Sequence, residues 1–323
     1  MRTTSFFSIC AAVVAILALG QLPLAGQSTP YTPPRTPDGQ PDLQGIWTNA
    51  TVTPLERPAE LGDKQFLTEK EAAEFAKQAV QATNADRRDL PPELDVARAY
   101  NQFWYDRGTN VVGTKRTSLI TDPPNGRIPA LTPQGKKRAD DFAQMRVQHP
   151  ADGPENRTLN ERCIRWATAG PPMLPGPYNN NYQIVQVPGY VIIVVEMIHD
   201  ARLIPLDGRP HLPQNVKSWL GDARGHWEGN TLVVETTNFR PDATYRFTVP
   251  ESLHLTERFT RVSPDTINYE FTVDDPATFT RPWTASIPMT KSAGPVYEYA
   301  CHEGNYAMEG ILAGARADER KAK

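Results

Sequence analysis

The sequence predicts a mainly β protein: a lipocalin-like antiparallel barrel or strongly curved sheet, with a few N-terminal helices packed outside. The 31 prolines among 323 residues disfavour a mainly helical architecture, because proline lacks the N–H that a helix interior needs. After Pro177, short apolar runs alternate with period two between turn residues, as in antiparallel strands. Roughly eight such runs are present, and a meander of that size usually curls or closes.

Composition and charge limit the class of protein. With 39% hydrophobic and 22% charged residues, the chain has enough apolar surface for a sizeable core, so a fibrous or wholly disordered protein is excluded. Lys and Arg number 34 and Asp and Glu 37, for a net charge of −3. No basic run offers a footprint for phosphates, and nucleic acid is therefore not an expected partner.

The first residues have the pattern of a secretory signal. Arg2 precedes an apolar run at 6–19 that is followed by small residues and a polar stretch, the order found in exported proteins. We expect cleavage after Gly26, with cleavage after Gly20 as the alternative. An uncleaved membrane anchor is the competing interpretation. No later segment is long enough to span a bilayer.

The remaining chain divides by composition. Residues 27–40 are polar and Pro-rich, which predicts an extended arm. Thr68 with Glu71 forms a capping box, and Thr132 before Pro133 caps a second helix. We expect a signal peptide at 1–26, a Pro-rich flexible arm at 27–41, a helical and loop-rich region at 42–176, an antiparallel β-barrel region at 177–314 and a polar tail at 315–323.

Three hairpins and two later strands are predicted. The clearest joins 253–262 to 266–273, because this register places apolar residues opposite apolar residues and polar residues opposite polar residues. The others join 182–187 to 190–196 and 226–228 to 231–237, and further strands are expected at 279–289 and 296–300. In the first hairpin the predicted cross-strand pairs are Leu255 with Val273, Phe259 with Tyr269, Arg258 with Glu270 and His254 with Asp274. The charged face is expected to meet solvent or a barrel lumen.

Three cysteines are present, and Cys10 would leave with the signal peptide. Cys163 and Cys301 remain, and two cysteines in an oxidising compartment are expected to form a disulfide. Two unpaired buried thiols are the alternative.

Three motifs carry a resemblance: GHWEGNTLVVETTNF at 225–239, TRPWT at 280–284 and CHEGNY at 301–306. Together with DGRPH at 207–211 and ERF at 257–259, they resemble a large group of exported bacterial proteins, mostly of unassigned function. The resemblance covers about residues 42 to 314. It implies export to the bacterial periplasm or the extracellular space, and it carries no activity or catalytic residue to this chain.

The first candidate site follows the most apolar predicted strand. Glu196, His199 and Asp200 come directly after it, and a carboxylate with an imidazole at a strand end can act as general base and acid. Arg202 would balance a negative charge on a substrate. A salt-bridge cluster among these groups is the competing interpretation.

The second candidate site follows Cys301. His302 and Glu303 are predicted to take part in catalysis, and Asn305 and Tyr306 to bind substrate, if the disulfide brings this loop to the barrel mouth; a solvated loop is the alternative. Further substrate-binding candidates are His211, His226, Glu228, Arg281 and Trp283, since paired Trp and Arg suit sugar rings or aromatic acids. The aromatic cluster at 103–105 is interpreted as a packing anchor.

No motif for a nucleotide, a redox cofactor or an activated serine is present. The expectation is therefore no cofactor and no defined metal site, although the His and carboxylate groups leave a divalent metal open. The leading hypothesis is an exported, cofactor-independent enzyme that acts by His/carboxylate acid–base chemistry on a small polar organic molecule such as a sugar derivative, by hydrolysis, elimination or isomerisation. The alternative is a lipocalin-like binding protein without catalysis, and an envelope scaffold is a third hypothesis. Protein partners and oligomeric state are not predicted.

Overall fold

The computed structural model describes residues 31–89, 91–97, 101–241 and 252–321, so the predicted signal peptide lies outside the described residues. Within these ranges the strands are β1 (Gly45–Thr48), β2 (Ile120–Asp122), β3 (Asn181–Val187), β4 (Tyr190–Val195), β5 (Ala201–Pro205), β6 (Asp222–Glu228), β7 (Thr231–Thr237), β8 (His254–Ser263), β9 (Thr266–Asp274) and β10 (Trp283–Lys291). The α-helices are α1 (Glu69–Thr83), α2 (Pro92–Ala97), α3 (Pro133–Gln148) and α4 (Ala307–Lys321).

One antiparallel sheet, nearly closed into a barrel, dominates the protein, which confirms the predicted fold class. Its strand order is β5-β4-β3-β1-β10-β9-β8-β7-β6, and β2 pairs with β10 beside this path. The two edge strands, β5 and β6, approach each other at Gly225. A Cβ at that position would lie 2.8 Å from Ile204 and 2.7 Å from Leu206, so only glycine lets the edges come this close without displacing side chains.

The predicted hairpins are present in the predicted register. Strands β8 and β9 pair Leu255 with Val273 and Phe259 with Tyr269, and also Arg258 with Glu270 and His254 with Asp274. The hairpins β3–β4 and β6–β7 form as well. On the outer face, however, the nearest charged partners are not the residues directly opposite. Arg258 pairs with Glu228 of β6, two strands away, at 2.7 Å, and His254 lies 3.9 Å from Glu235 of the adjacent strand β7.

Two parts of the strand prediction are incomplete or wrong. β1, from the predicted helical and loop-rich region, inserts between β3 and β10 and buries Trp47 completely. Residues 296–300 form no strand, because the amide of Tyr297 donates to the Glu196 side chain rather than to a neighbouring strand. α4 spans 307–321, where the sequence suggested the end of the barrel and a polar tail.

The inward faces of the strands form the core. Buried apolar side chains from nine of the ten strands form this core, including Trp47, Ile120, Tyr182, Ile184, Ile193, Ile204, Val234, Phe259, Phe271 and Ile287. Burial of these side chains stabilises the fold by roughly 25 cal/mol per Å² of apolar surface removed from water.

A buried ion pair lies among these apolar side chains. Arg202 of β5 donates to Glu257 of β8 through both terminal nitrogens, the Nη1–Oε1 distance being 3.0 Å, and Arg202 is 3% and Glu257 0% exposed. Tyr269 donates its hydroxyl to Glu257 at 2.8 Å and accepts the Met173 amide at 2.9 Å. Burial by itself would lower the pKa of Arg202, but the Glu257 charge and hydrogen bonds raise it. Burial, and then Glu257, raise the pKa of Tyr269 well above its ordinary value.

The two predicted helix caps are confirmed. The Thr68 hydroxyl accepts from the Glu71 amide at 3.3 Å and the Glu71 carboxylate accepts from the Thr68 amide at 2.9 Å, which completes the capping box of α1. Thr132 caps α3 through the Gly135 amide at 2.9 Å. Gly135 also packs against the backbone of Thr278, which a Cβ would approach to 2.5 Å, so α3 is held against the loop that connects β9 and β10.

Cys163 and Cys301 form a disulfide, which confirms the predicted pairing. It joins positions 138 residues apart and ties the segment before α4 to the loops that precede β3. In the described part of the chain, no helix combines the length and apolar composition needed to cross a bilayer.

Removing Glu257 is expected to destabilise the protein strongly. Glu257→Ala leaves the Arg202 charge buried without a carboxylate, which costs about 3 to 5 kcal/mol. Urea denaturation followed by tryptophan fluorescence measures this difference in unfolding free energy. The double variant Arg202→Met with Glu257→Leu is expected to regain most of the loss, because it removes both charges. Equal stabilities of the Ala single variant and the wild type would contradict the assigned pair.

Reducing the disulfide is expected to lower the free energy of unfolding by about 4 to 5 kcal/mol, because the bridge constrains a long loop of the unfolded chain. The measurement is the urea midpoint with and without dithiothreitol. The double variant Cys163→Ser with Cys301→Ser is the control, and its midpoint is expected to be low and insensitive to the reductant. A wild-type midpoint that dithiothreitol does not change would contradict the bridge.

Candidate functional site

A cleft of about 880 Å³ lies at the rim of the barrel. We call it the aromatic cleft, because aromatic rings and carboxylates supply its side-chain surface. Its main side chains are Phe103, Trp104, Asp106, Tyr178, Glu196, Lys291, Tyr297, Glu298 and Tyr299.

Three structural elements build the aromatic cleft. Its floor lies where β1 and β4 end and β3 begins. There Thr48 pairs with Asn181, and the Glu196 amide donates to the Asn181 carbonyl at 3.1 Å. Residues 292–300, which we call the strap, follow β10, border the cleft and are not assigned to a strand. The third wall comes from residues 103–106.

Glu196 is a buried carboxylate that borders the cleft, with 2% of its surface exposed. Its Oε2 accepts from the side-chain amide of Asn181 at 2.8 Å and its Oε1 from the backbone amide of Tyr297 at 3.0 Å. No Lys, Arg or His in the described residues forms an ion pair with it. The carboxylate is therefore oriented by amides alone, and its charge has no cation in contact.

Asp106 is the second acid of the aromatic cleft. Its backbone is fixed by the Pro177 carbonyl, which accepts the Asp106 amide at 3.0 Å, and by Asn180, whose side chain donates to the Asp106 carbonyl. Partial desolvation of the carboxyl group and the charge of Glu196 both raise the pKa of Asp106, while a hydrogen bond from the Asn180 backbone acts in the opposite direction. The residue is exposed, so its carboxyl group can contact a ligand in the cleft.

Aromatic rings form the walls. Tyr178 and Tyr299 stack at a centroid distance of 6.4 Å with planes 18° apart, which joins the strap to the body of the protein. Phe103 and Trp104 meet edge to face at 5.2 Å and are 80% and 60% exposed. The interpretation of this cluster as a packing anchor is therefore wrong for these two rings. Tyr297 is 67% exposed on the strap.

The structure separates the members of the first predicted site. His199 lies in the turn Met197–His199, where Ile198 and His199 take left-handed φ values of 60° and 44°, and its Nδ1 lies 3.2 Å from the Tyr299 carbonyl oxygen. It therefore supports the strap beside the aromatic cleft. Burial raises the pKa of Asp200, opposed by the charges of Arg165 and His199. Arg202 points into the barrel and pairs with Glu257, so it does not face the cleft.

The second predicted group lies beside the disulfide. His302 and Asn305 line a different cleft of about 360 Å³ with Arg162, and Asn305 donates to the Cys163 sulfur at 3.4 Å. Glu303 and Tyr306 are exposed. None of these side chains borders the aromatic cleft, although the strap ends directly before Cys301.

The other predicted binding residues are distributed over the barrel. On the outside, His211 pairs with Asp222 at 2.9 Å, His226 lies 3.3 Å from Glu228, and Arg281 pairs with Asp122 at 2.6 Å. Trp283 is 1% exposed and belongs to the core. These positions do not converge on one cleft. Among the described residues, no group of three or more His, Cys, Asp or Glu side chains is arranged to hold a metal ion.

Sequence reasoning missed Asp106, Tyr178, Glu298 and the two strap tyrosines, Tyr297 and Tyr299, as site residues. A local signal was present, because an acid follows three consecutive aromatic residues at 103–105 and another acid separates two tyrosines on the strap. Their meeting with Glu196 depends on contacts between distant segments.

No family model, curated protein or solved structure matches this chain. The assignment of a site therefore rests on the geometry and chemistry of the aromatic cleft.

Substituting Glu196 is expected to lower the pKa of Asp106. Glu196→Gln removes the negative charge that helps to hold the Asp106 pKa above 3.8, while partial burial continues to raise it. Because the folded-state pKa exceeds the unfolded value, the stability that Asp106 contributes is fully present below pH 3.8 and is lost as the pH rises through the folded pKa. An NMR pH titration of ¹³C-labelled Asp carboxyl groups measures the pKa of Asp106 in the wild type and in Glu196→Gln.

Asp275 provides an internal control in the same spectra. Its pKa is raised by burial, and its partners are Thr278, Ser252 and Arg138, so Glu196→Gln should leave its titration unchanged. Glu309→Gln on the exposed face of α4 is the matched substitution and should move neither pKa. An Asp106 titration that is identical in wild type and Glu196→Gln would contradict the proximity of the two carboxylates.

Proposed function

We propose that this protein is an exported, cofactor-independent enzyme that performs acid–base chemistry on a small polar ring compound, such as a sugar derivative, in the aromatic cleft. The observation that carries this proposal is the pair Asp106 and Glu196 in a cleft with exposed aromatic rings. The reaction classes that such a pair serves are hydrolysis, elimination and isomerisation, since each moves one proton onto an oxygen and removes another nearby.

The environments of the two carboxylates support different roles. Asp106 has a raised pKa and access to solvent, so it is the proton donor to a departing or rearranging oxygen. Glu196 has both oxygens oriented by amides and is the proton acceptor.

The walls of the cleft support a ring-shaped substrate. Tyr178 and Tyr299 present stacked rings, and Trp104, which is 60% exposed, lines the same cleft. Aromatic faces pack against the apolar faces of sugar rings, and the carboxylates bond to hydroxyl groups. In this proposal His199 positions the strap by its contact with Tyr299 rather than by transferring a proton to the substrate.

Export is supported by two observations. The disulfide between Cys163 and Cys301 is compatible with an oxidising compartment, and the N-terminal sequence pattern together with the resemblance to exported bacterial proteins points to the periplasm or the extracellular space. The proposed site lies entirely within residues that remain after cleavage at Gly26.

The alternative function, ligand binding inside the barrel without catalysis, has less support. The ion pair of Arg202 and Glu257, Tyr269 and the apolar core side chains occupy the barrel interior. A lipocalin-like ligand would need this volume. Binding at the rim remains common to both hypotheses, and the two acids favour catalysis there.

The proposal predicts that Glu196→Gln and Asp106→Asn each lower turnover by roughly 10²- to 10⁴-fold, the usual contribution of a general acid or base. The probes are a panel of aryl glycosides and free monosaccharides. Proton NMR in D₂O follows bond cleavage, loss of water or exchange of a ring C–H, one signal for each reaction class. Thermal denaturation of each variant checks that the fold is retained.

Glu309→Gln is the matched control, because it removes an exposed carboxylate of α4 that does not line the aromatic cleft, and it should leave turnover unchanged. Ligand binding by Glu196→Gln without turnover would support the assigned role. Stabilisation of the wild type by sugars without any chemical change would favour the binding-protein hypothesis. Full activity in both acid variants would overturn the proposal.

A further inference from the structure

The aromatic cleft carries an excess of negative charge. Its ionisable lining consists of three carboxylates, Asp106, Glu196 and Glu298, and one ammonium group, Lys291. In the described part of the chain none of the four forms an ion pair. Glu196 exposes 2% of its surface, so its charge interacts through a medium of lower dielectric constant than water.

The same cleft presents aromatic faces that attract cations. Tyr178 and Tyr299 stack with one another, and Tyr297 and Trp104 are 67% and 60% exposed. A ring face carries the negative side of its quadrupole, so an ammonium group above Trp or Tyr is stabilised by about 0.5 to 2 kcal/mol. Aromatic rings and unpaired carboxylates in one cleft therefore both select positive charge.

We propose that the ligand of the aromatic cleft carries a protonated amino group on a saturated polar ring, as an amino sugar does. This inference rests on the proposed function and narrows its substrate class. The amino group lies against the aromatic rings and Glu298, and the ring hydroxyls face Asp106 and Glu196. Glu298 is the specificity residue, because it is exposed on the strap between the two tyrosines and has no other ionic partner among the described residues.

Matched sugars isolate the contribution of the charge. Isothermal titration calorimetry compares glucosamine, N-acetylglucosamine and glucose at mildly acidic pH, where the free amine is protonated and acetylation removes the charge from an otherwise similar ring. Glucosamine is expected to bind at least about tenfold more tightly than either neutral sugar, corresponding to about 1.4 kcal/mol. Added salt should reduce this preference.

Variants then locate the recognition of the amine. Glu298→Gln should reduce the preference for glucosamine severalfold and leave the binding of glucose unchanged. Glu309→Gln is the control and should keep the full preference. Loss of the preference in both variants, or in neither, would overturn the role of Glu298.

The outcomes separate this inference from the proposed function. Equal binding of glucosamine and glucose would overturn the amine while leaving a sugar site intact. Failure of every sugar to bind or react would overturn the proposed function itself. Tetramethylammonium tests the ring requirement: affinity equal to that of glucosamine would show that the cleft binds a simple cation, which contradicts an amino sugar.

Discussion

The ion pair between Arg202 and Glu257 determines where a ligand can bind. A buried charge is tolerated only with a partner and satisfied hydrogen bonds, and here β5 and β8 supply the two charges while Tyr269 supplies a further hydrogen bond. This network, with the aromatic side chains around it, fills the barrel. The interior is thus a packed core, and the site that we propose lies at the rim.

At the rim, strand register and chain crossings assemble the aromatic cleft. The antiparallel pairing of β1, β3 and β4 places Asn181 and Glu196 in one row. The strap is not assigned to a strand, and its contacts include the Ser292 amide to the Ile46 carbonyl of β1, the Tyr297 amide to Glu196, the stacking of Tyr299 on Tyr178 and the contact of His199 with the Tyr299 carbonyl. The disulfide follows directly after it. The disulfide therefore fixes one wall of the proposed site as well as the fold.

The sequence predicted local and pairwise features well. The register of β8 and β9 was predictable because a short loop and period-two alternation leave one alignment that places like opposite like. The role of Glu257 also had a local signal, since it shares a strand face with Leu255 and Phe259. In contrast, the insertion of β1 and the approach of Asp106 to Glu196 join segments about 90 residues or more apart. The period of the hydrophobic pattern and the local composition carry no information on such distant contacts.

Two buried glutamates of this protein, Glu257 and Glu196, differ in the groups that contact their carboxylates. Glu257 and Glu196 are 0% and 2% exposed, yet Glu257 has a bidentate arginine and a tyrosine hydroxyl, whereas the donors to Glu196 among the described residues are amides. Glu257 is enclosed with these partners in the barrel core and does not line the aromatic cleft, so a ligand there does not contact it. A carboxylate oriented by amides keeps an uncompensated charge beside the cleft, and burial makes that charge costly without a cation. In the proposed complex the ring hydroxyl groups donate to Glu196 and the ammonium group lies in the same cleft, so both offset part of this cost.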